Sequence, residues 1–466
     1  MRSVTLPVPN PTQSYWQTPP DPELADCRTT PDLPAEADTV IIGSGITGAA
    51  VAWYLLQDTA PVPVSDGTAP GTEHLATGPK IVMLEARQAC SGATGRNGGH
   101  TKAPSYLTFP HHAQTTISEA IKIALLEHTN IQSVHAFAAE YNIPCEAAQI
   151  PTVDVHYTSP ETWAQTVKDI QSLKTALPPE HPAAKYEILG REDVMREYLV
   201  VDQAVWGDRV QGGVRYPAGR INAYRFTLGV LRECLKRGLN LQTNSPVIKL
   251  EKLSVPSPNC ASSSTGWAIH TPRGVILTRR VVLATNGYTA AISGPPQSLF
   301  QGRVVPVRGQ ITAQRPGSKL PFRGCLPTTY SFIYGPSGFE YMITRPCSVP
   351  EHESGFDKPE SASCAGEGEI IIGGGLIRGS ADGMTGASEI DTTDDGVLSP
   401  GITTYLYDTP ARYFGPDHWG QDHCLGRVKA EWTGIMGFTA DGFPYVGEVP
   451  DYQGLWAYER EAGERV

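Results

Sequence analysis

Asp38-Thr39-Val40-Ile41-Ile42-Gly43-Ser44-Gly45-Ile46-Thr47-Gly48 decides how the rest of this 466-residue chain is read. Asp38 to Ile42 has the composition of a short buried strand. It runs into a full G-x-G-x-x-G, and Ala49 to Gln57 then reads as an apolar helix. A second strand, Lys80 to Leu84, ends in Glu85. Strand, glycine turn, helix, strand and acid, in that order, are what a dinucleotide site needs. Gly43 permits the tight turn, Gly45 lets backbone approach a pyrophosphate, and Gly48 lets the helix pack against the strand. Ser44, Ile46 and Thr47 complete the turn and open the helix, whose N-terminal N–H groups and dipole favour that anion. Glu85, followed by Ala86 and Arg87, is placed to accept hydrogen bonds from a ribose and to repel a 2′-phosphate, which favours an unphosphorylated adenosine ribose over NADP. The acid ordinarily follows the glycines by about 20 residues, and here it lies farther on. Asp58 to Pro79, rich in Pro, Gly, Thr and Ala and without period, reads as a surface loop inserted between helix and strand.

The length accommodates two domains or one elaborated one. A net charge of −11 argues against a polyanion-binding surface, so no nucleic-acid partner is expected. No apolar run is long enough for a membrane span, and the N-terminus lacks the apolar stretch of a secretory signal. Nine scattered cysteines without a C-x-x-C pair suggest reduced thiols in a cytoplasmic protein. Peroxisomal import stays open, although Glu464-Arg465-Val466 is not an S-K-L type signal.

Residues 1–37 read as a Pro-rich arm on the surface, tied down by Trp16. The glycine-rich stretch 86–100 reads as a second loop that wraps a ligand with its backbone. Helices are expected over 114–142, Thr162 to Leu177 and Asn222 to Arg237, the last closed by Gly238. Gly212 to Pro217 reads as a turn. Leu239 to Gln242, Val247 to Leu250, Trp267 to Thr271 and Gly274 to Thr278 suggest a meander leading to a buried strand at Arg280 to Gly287 that ends on small residues. Region 300–425 reads as β-rich, with solvated polar insertions near 348–367 and 380–395.

With these motifs in order, the chain resembles the FAD-dependent D-amino-acid-oxidase superfamily, in the branch of γ-glutamylputrescine oxidase-like and glycine/sarcosine oxidase-like flavoproteins. The resemblance rests on Arg28-Thr29-Thr30-Pro31-Asp32-Leu33-Pro34, GSGITG, LEAR and ATGRNGGH. It continues through RYPAGRINAYRF, VVLATNGY, VVPVRGQ at Val304 to Gln310, and Glu431 to Gly447. It implies an α/β fold in which a Rossmann-like FAD-binding domain (38–105, 200–300 and 426–466) is interleaved with a mixed-sheet α+β substrate domain (106–199 and 301–425). It implies FAD rather than NAD. Gly43, Gly45 and Gly48 would hold the pyrophosphate, Glu85 the ribose, with Arg87 flanking. Thr94, Arg96, Asn97, Gly98 and Gly99 would line the flavin. Val247 would touch the adenine through its backbone, Thr285, Asn286 and Gly287 would close the dinucleotide from below, and Asp441, Gly442 and Pro444 would approach the flavin's polar edge. The position where sarcosine oxidase-like relatives tether FAD through a cysteine aligns with Gly434, with no cysteine nearby, so that covalent route is not expected. His100 is a loose candidate for a histidyl link.

The implied reaction moves a hydride from a C–H next to nitrogen to flavin N5, followed by imine hydrolysis and transfer of electrons to O₂ or another acceptor. The substrate is a small amine or amino acid. A dehydrogenase using another acceptor, and a non-catalytic relic that has lost its flavin, are the other readings. Arg96, among the loop glycines, is placed to stabilise reduced flavin. Tyr341 and Arg345 are the candidate substrate residues, an aromatic wall and a guanidinium fork for a carboxylate, set against plain sheet packing. Tyr330, Phe332 and Tyr334 are lesser candidates. Arg308 reads equally as a flavin neighbour or a buried structural pair, and Trp432 as a core anchor or a pocket wall. His111 and His112 lack a third ligand spacing, so no metal is expected. One departure concerns the C-terminus. Gly454 to Tyr458 begins the family's strand, but charged residues 459–466 stand where the family has a glycine-rich flavin loop and a helix, so weakened FAD binding and lowered stability are expected.

Overall fold

The computed structural model describes residues 4–59, 78–253, 266–321, 325–335, 338–346, 368–379 and 386–459. Most of the Asp58–Pro79 insertion, the insertion near 348–367, the first part of that near 380–395 and the charged residues 460–466 lie outside the described residues.

β1 (Glu36–Ile42) buries its last four residues, and the chain turns at Gly43 with φ +109°. A Cβ on Gly43 would lie 2.2 Å from the Ala284 carbonyl oxygen, and one on Gly48 would lie 2.0 Å from the Gly43 carbonyl oxygen. Only glycine lets α1 (Ile46–Leu56) press this closely on the strand it follows. β2 (Ile81–Leu84) is wholly buried and pairs parallel with β1. After β3 (His100–Thr101) come α2 (Ser105–His112), α3 (Ile117–Glu140), β4 (Ala148–His156), α4 (Pro160–Ala176), β5 (Glu187–Gly190), α5 (Arg191–Glu197) and β6 (Gly212–Arg220). α6 (Ala223–Lys236) precedes β7 (Asn240–Gln242), β8 (Lys249–Leu253), β9 (Gly266–Thr271), β10 (Gly274–Leu283) and α7 (Pro295–Phe300). β11 (Val305–Gln314), β12 (Thr329–Ile333), β13 (Phe339–Thr344), β14 (Ile370–Gly374), α8 (Pro400–Trp419), β15 (Val428–Phe438), β16 (Tyr445–Glu448) and β17 (Leu455–Glu459) complete the chain. The expected helices start where side chains cap them: Thr116, Ser159 and Asn222 accept from the N–H groups of Glu119, Thr162 and Arg225.

Two sheets result. The first runs β16-β17-β10-β1-β2-β7, parallel from β17 to β7, with β8 and β9 continuing antiparallel from β10. On one face Ile41 and Met83 pack with Ala49, Ala52 and Leu231 of α1 and α6. On the other, Val40, Val82 and Leu84 pack with Trp267, Ile269 and Phe300. The second sheet runs β15-β11-β14-β13-β12-β4-β6-β3, with β5 on β6; β4 and β12 are parallel and the other neighbours antiparallel. Its back face buries Val153, Tyr330, Phe332 and Met342 against Tyr413 and Phe414 of α8, the Phe332 and Tyr413 rings stacking at 3.7 Å.

Several expectations change. Gly212 to Pro217 is no turn but the start of β6, where Pro217 stands opposite Pro151. β6 and β15 therefore lie in the second sheet, although 200–300 and 426–466 are expected in the dinucleotide domain. Gly274 to Leu283 is one strand, and β7 leaves the meander to pair with β2. α8 falls in the region read as β-rich. Its β-branched and aromatic residues, Pro410 and Pro416 all disfavour a helix, and Gly415 (φ +68°) kinks it. Burial of Ile402, Leu406, Phe414 and Trp419 outweighs those preferences. The N-terminal arm is not superficial either, since Ser14 and Trp16 are buried. Cys325 is disulfide-bonded, which corrects the expectation of reduced thiols throughout, while Cys27, Cys90, Cys145, Cys234 and Cys424 are free. No helix among the described residues is long and apolar enough to cross a membrane.

The contact between Gly48 and Gly43 sets a clear expectation. Gly48→Ala should lower stability by about 1–3 kcal/mol through overpacking, read by urea denaturation, whereas alanine at Gly266, where a Cβ meets nothing closer than 3.6 Å, should cost less than half as much.

Candidate active site

β1, β2 and β10 are parallel neighbours, so Gly43, Glu85 and Thr285, which follow them, share one edge of the first sheet. That edge is where open α/β sheets bind ligands. Glu85 links its pieces. Its Oε2 accepts from Ser44 N (3.1 Å) and Ser44 Oγ (2.6 Å), and its Oε1 accepts from Arg87 N (3.0 Å). Ser245 N donates to the Glu85 carbonyl at 2.8 Å, which brings the segment before the buried Val247 beside the end of β2. Ile46 N donates to Thr94 Oγ1 at 3.0 Å and joins the first loop to the second. Asn286 Nδ2 donates to Ile435 O, and Asn286 Oδ1 accepts from Gly437 N, both at 3.0 Å, so this residue ties the end of β10 to β15. Gly287 packs under Met436, whose carbonyl oxygen would lie 2.9 Å from a Cβ there.

The second loop is held through its carbonyl oxygens. Ser91 O accepts from Arg96 Nε (2.8 Å), and Gly95 O accepts from Ser14 Oγ (2.7 Å) and Gln17 Nε2 (2.9 Å). Arg96 O accepts from Trp432 Nε1 (2.8 Å), Asn97 O from Trp16 Nε1 (2.6 Å) and Gly99 O from Ile221 N (2.8 Å). In a planar trans peptide the C=O and the following N–H point in opposite directions. The N–H groups of Asn97, Gly98 and His100 therefore face away from those captors, whereas that of Arg96 closes the 3-10 turn Ala93–Arg96. A run of backbone donors so presented suits an anionic or carbonyl-rich ligand.

Behind the loop lies a buried charge cluster. Arg87 forks onto Asp395 (Nη1–Oδ1 3.0 Å, Nη2–Oδ2 2.9 Å), and Arg96 Nε lies 3.6 Å from Asp395 Oδ2. Arg96 Nη1 also donates to Thr12 O and Thr433 O, each at 2.8 Å. Burial, reinforced by the charge of Arg87 and opposed by Asp395, lowers the Arg96 guanidinium to about 10, so it stays cationic at neutral pH. Arg96 is thus a clamp between loop, arm and β15, which corrects its expected role as a cation presented to the flavin. Asp395 and Glu389, within the stretch read as a solvated loop, are both buried, and no sequence pattern marks them. Glu389 receives Arg308 Nε at 2.7 Å, which makes Arg308 a structural pair.

One face of the second sheet fronts the loop. Across six strands the register sets Asp154, Ser331, Tyr341, Gly373, Ile311 and Trp432 in one row, with their side chains on that face. Tyr341 packs against Gly98, where a Cβ would fall 2.2 Å from its ring, and against Gly373. Tyr330 and Phe332 point to the opposite face and belong to the core, and Tyr334 donates to the buried Glu340 (2.9 Å). Arg345 also departs from expectation. It forks onto Glu146, with Nε–Oε2 at 3.0 Å, donates to Tyr15 Oη at 2.6 Å and lies beside Glu369 at 3.6 Å. Its fork is filled from within the chain, so it is not a carboxylate receptor. Asp441 spends its carboxylate on Phe443 N (3.1 Å) in an exposed turn closed by Gly442 at φ +75°.

The sequence reading missed a polar network on this face. Lys102 Nζ donates to Asp154 Oδ1 (2.8 Å) and to Ser331 Oγ, and Tyr106 Oη (2.9 Å) and Tyr216 Oη (2.7 Å) donate to Asp154 Oδ2. A charge inside the apolar alternation Val153-Asp154-Val155 was the available signal. His156, 3.1 Å from Tyr106 Oη, is held neutral by burial, its pKa pushed down to about 4. His100 Nε2 lies 2.5 Å from Thr329 Oγ1, and burial lowers its pKa well below the usual histidine value.

Residues 38–459 match the model of the DAO family, FAD dependent oxidoreductase. The chain belongs to that family. It is an FAD-dependent oxidoreductase by membership, and the glycine turn, the acid after β2 and the donor-lined loop fit that cofactor. It is 21% identical to "Probable oxidoreductase OrdL" of Haemophilus influenzae over 288 residues, which are 61% of this chain and only 56% of that protein's length. Its fold is similar to that of glycine oxidase from Geobacillus kaustophilus (TM-score 0.58, 17% identity, 92% of this chain and 90% of that one). It is also similar to L-proline dehydrogenase from P. horikoshii (0.58, 16%, 93% and 90%) and to an L-amino acid deaminase from Proteus vulgaris (0.59, 14%, 94% and 88%).

Asp395 neutralises two buried guanidinium groups at once. Asp395→Asn should therefore cost about 3–5 kcal/mol of stability in urea denaturation, against less than about 0.5 kcal/mol for Asp441→Asn at the exposed turn.

Proposed function

We propose that this chain oxidises the C–N bond of a small amine or amino acid, with O₂ as electron acceptor. The observation that carries the reading is the facing pair of surfaces, a loop that presents backbone N–H groups and a sheet row centred on Tyr341 that packs against it. Gly43 to Gly48 would cradle the pyrophosphate of FAD, Glu85 and Arg87 would border the adenosine ribose, and Val247 the adenine. Thr94, Asn97, Gly98 and Gly99 would line the flavin, with Thr285 to Gly287 beneath it. FAD, when bound, supplies a hydride acceptor at N5 for a carbon next to nitrogen. The chain's part is orientation. Loop N–H groups would donate to the electron-rich edge of the ring, where reduction builds charge. Tyr341 would wall the substrate against the loop, and Ser331, positioned by Lys102 and Asp154, would offer a hydroxyl beside it. The solved structures of similar fold include a glycine oxidase and an L-amino acid deaminase, which supports an amino-group substrate.

The test is anaerobic mixing of FAD-loaded protein with a panel of amines and amino acids, followed by admission of air. Bleaching of the flavin band by at least one amino compound, then recovery with peroxide formation, is expected. A loaded protein that no amino compound bleaches contradicts the reading. Tyr341→Ala, which removes the wall, should lower kcat/KM at least about tenfold, whereas Tyr341→Phe, which keeps the ring, should change it less, both at unchanged FAD content.

A further inference from the structure

We propose that the N-terminal arm, Ser14 to Gln17, is part of the cofactor site, as a set of positioning residues that touch no ligand themselves. This rests on the reading of the 91–99 loop as the FAD loop. Two of the loop's carbonyl oxygens are held by the arm alone among side chains. Gly95 O accepts from both Ser14 Oγ and Gln17 Nε2, and Asn97 O accepts from Trp16 Nε1. The Asn97 carbonyl fixes the plane of the peptide that carries the Gly98 N–H, and the Gly95 carbonyl fixes the peptide whose Arg96 N–H closes the 3-10 turn Ala93–Arg96 just before it. Without the arm, that turn could loosen and the peptide between Asn97 and Gly98 could turn its carbonyl toward the cofactor, so that a donor would become an acceptor.

The arm is held rigidly enough to do this. Trp16 is buried beside Gly99, where a Cβ would lie 3.5 Å from its indole. Tyr15 stacks on Trp432, the residue that captures the intervening Arg96 carbonyl. Thr12 N donates to Asp395 O at 2.8 Å, and Thr433 N donates to Thr12 Oγ1 at 2.9 Å. The arm thus bridges the loop and β15 of the second sheet, and ordering of the loop is coupled to the substrate-facing sheet through it.

The experiment uses the full chain. Ser14→Ala, Gln17→Ala and Trp16→Phe each remove one captor of a loop carbonyl. FAD affinity is read from quenching of flavin fluorescence on titration into apoprotein, and ring geometry from visible circular dichroism of the bound flavin. Each variant should bind FAD about five- to tenfold more weakly, with an altered dichroism spectrum, and Ser14→Thr, which restores the hydroxyl, should return both toward wild type. Variants whose apoproteins melt earlier but bind FAD with wild-type affinity and dichroism would reduce the arm to packing and overturn the proposal. Ser14→Ala and Gln17→Ala are small changes on one shared carbonyl, so each remains informative if Trp16→Phe does not fold. A wild-type chain that takes up no FAD would sink the functional reading itself, while equal binding by wild type and all variants would sink only this inference.

Discussion

A peptide carbonyl held from one side leaves the neighbouring N–H facing the other, and the 91–99 loop is built on that constraint. The carbonyl oxygens of Ser91, Gly92, Thr94, Gly95, Arg96, Asn97 and Gly99 are all engaged within the chain. The captors come from the arm, from β15, from the residue after β6 and from the loop itself. Glycine supplies the thinness that lets Tyr341 approach at Gly98, but glycine alone would leave the loop free to flip. The surrounding side chains remove that freedom, and the donors are oriented before any ligand arrives, which lowers the entropy lost on binding.

Electrostatics reinforces the same design. Two guanidinium groups share the Asp395 carboxylate in a buried cluster, an arrangement that adds little net stability but is expensive to break. Its effect is to join three chain segments distant in sequence: the loop, the arm near Thr12 and the stretch around residue 395. On the far side of the loop Glu85 does comparable work for the first turn, through Ser44 and the Arg87 amide. A carboxylate expected to wait for a ribose is thus already committed to the turn that presents the phosphate-facing backbone.

What could be read in the sequence was local. The run from Asp38 to Glu85 announces its fold because each step, from buried strand to glycine turn to helix to strand to acid, is carried by neighbouring residues. α3, α4 and α6 were legible for the same reason, through period and cap. β6 was hidden because Gly212, Gly213 and Pro217 carry turn chemistry, and only pairing with β4 makes them a strand. α8 was hidden because burial decides it against its own propensities. The candidate site divides in the same way. The glycines and Glu85 sit in a motif, whereas Arg96 and Arg345 were misjudged because their partners Asp395 and Glu146 lie 299 and 199 positions away, distances that no local pattern spans. Lys102 and Asp154 form a pair 52 residues apart, and its only local trace is a charge inside an apolar strand.

Amide hydrogen exchange of the segment 91–99, with and without FAD, tests the outward-facing donors most directly. The account predicts that the outward-facing amides of Asn97 and Gly98 exchange readily in the apoprotein and become protected when FAD is added, while those of the N-terminal arm change little because their environment is already set. Exchange in 91–99 that is the same with and without a saturating amount of bound FAD would show that the loop's N–H groups do not meet the cofactor, and would contradict the account.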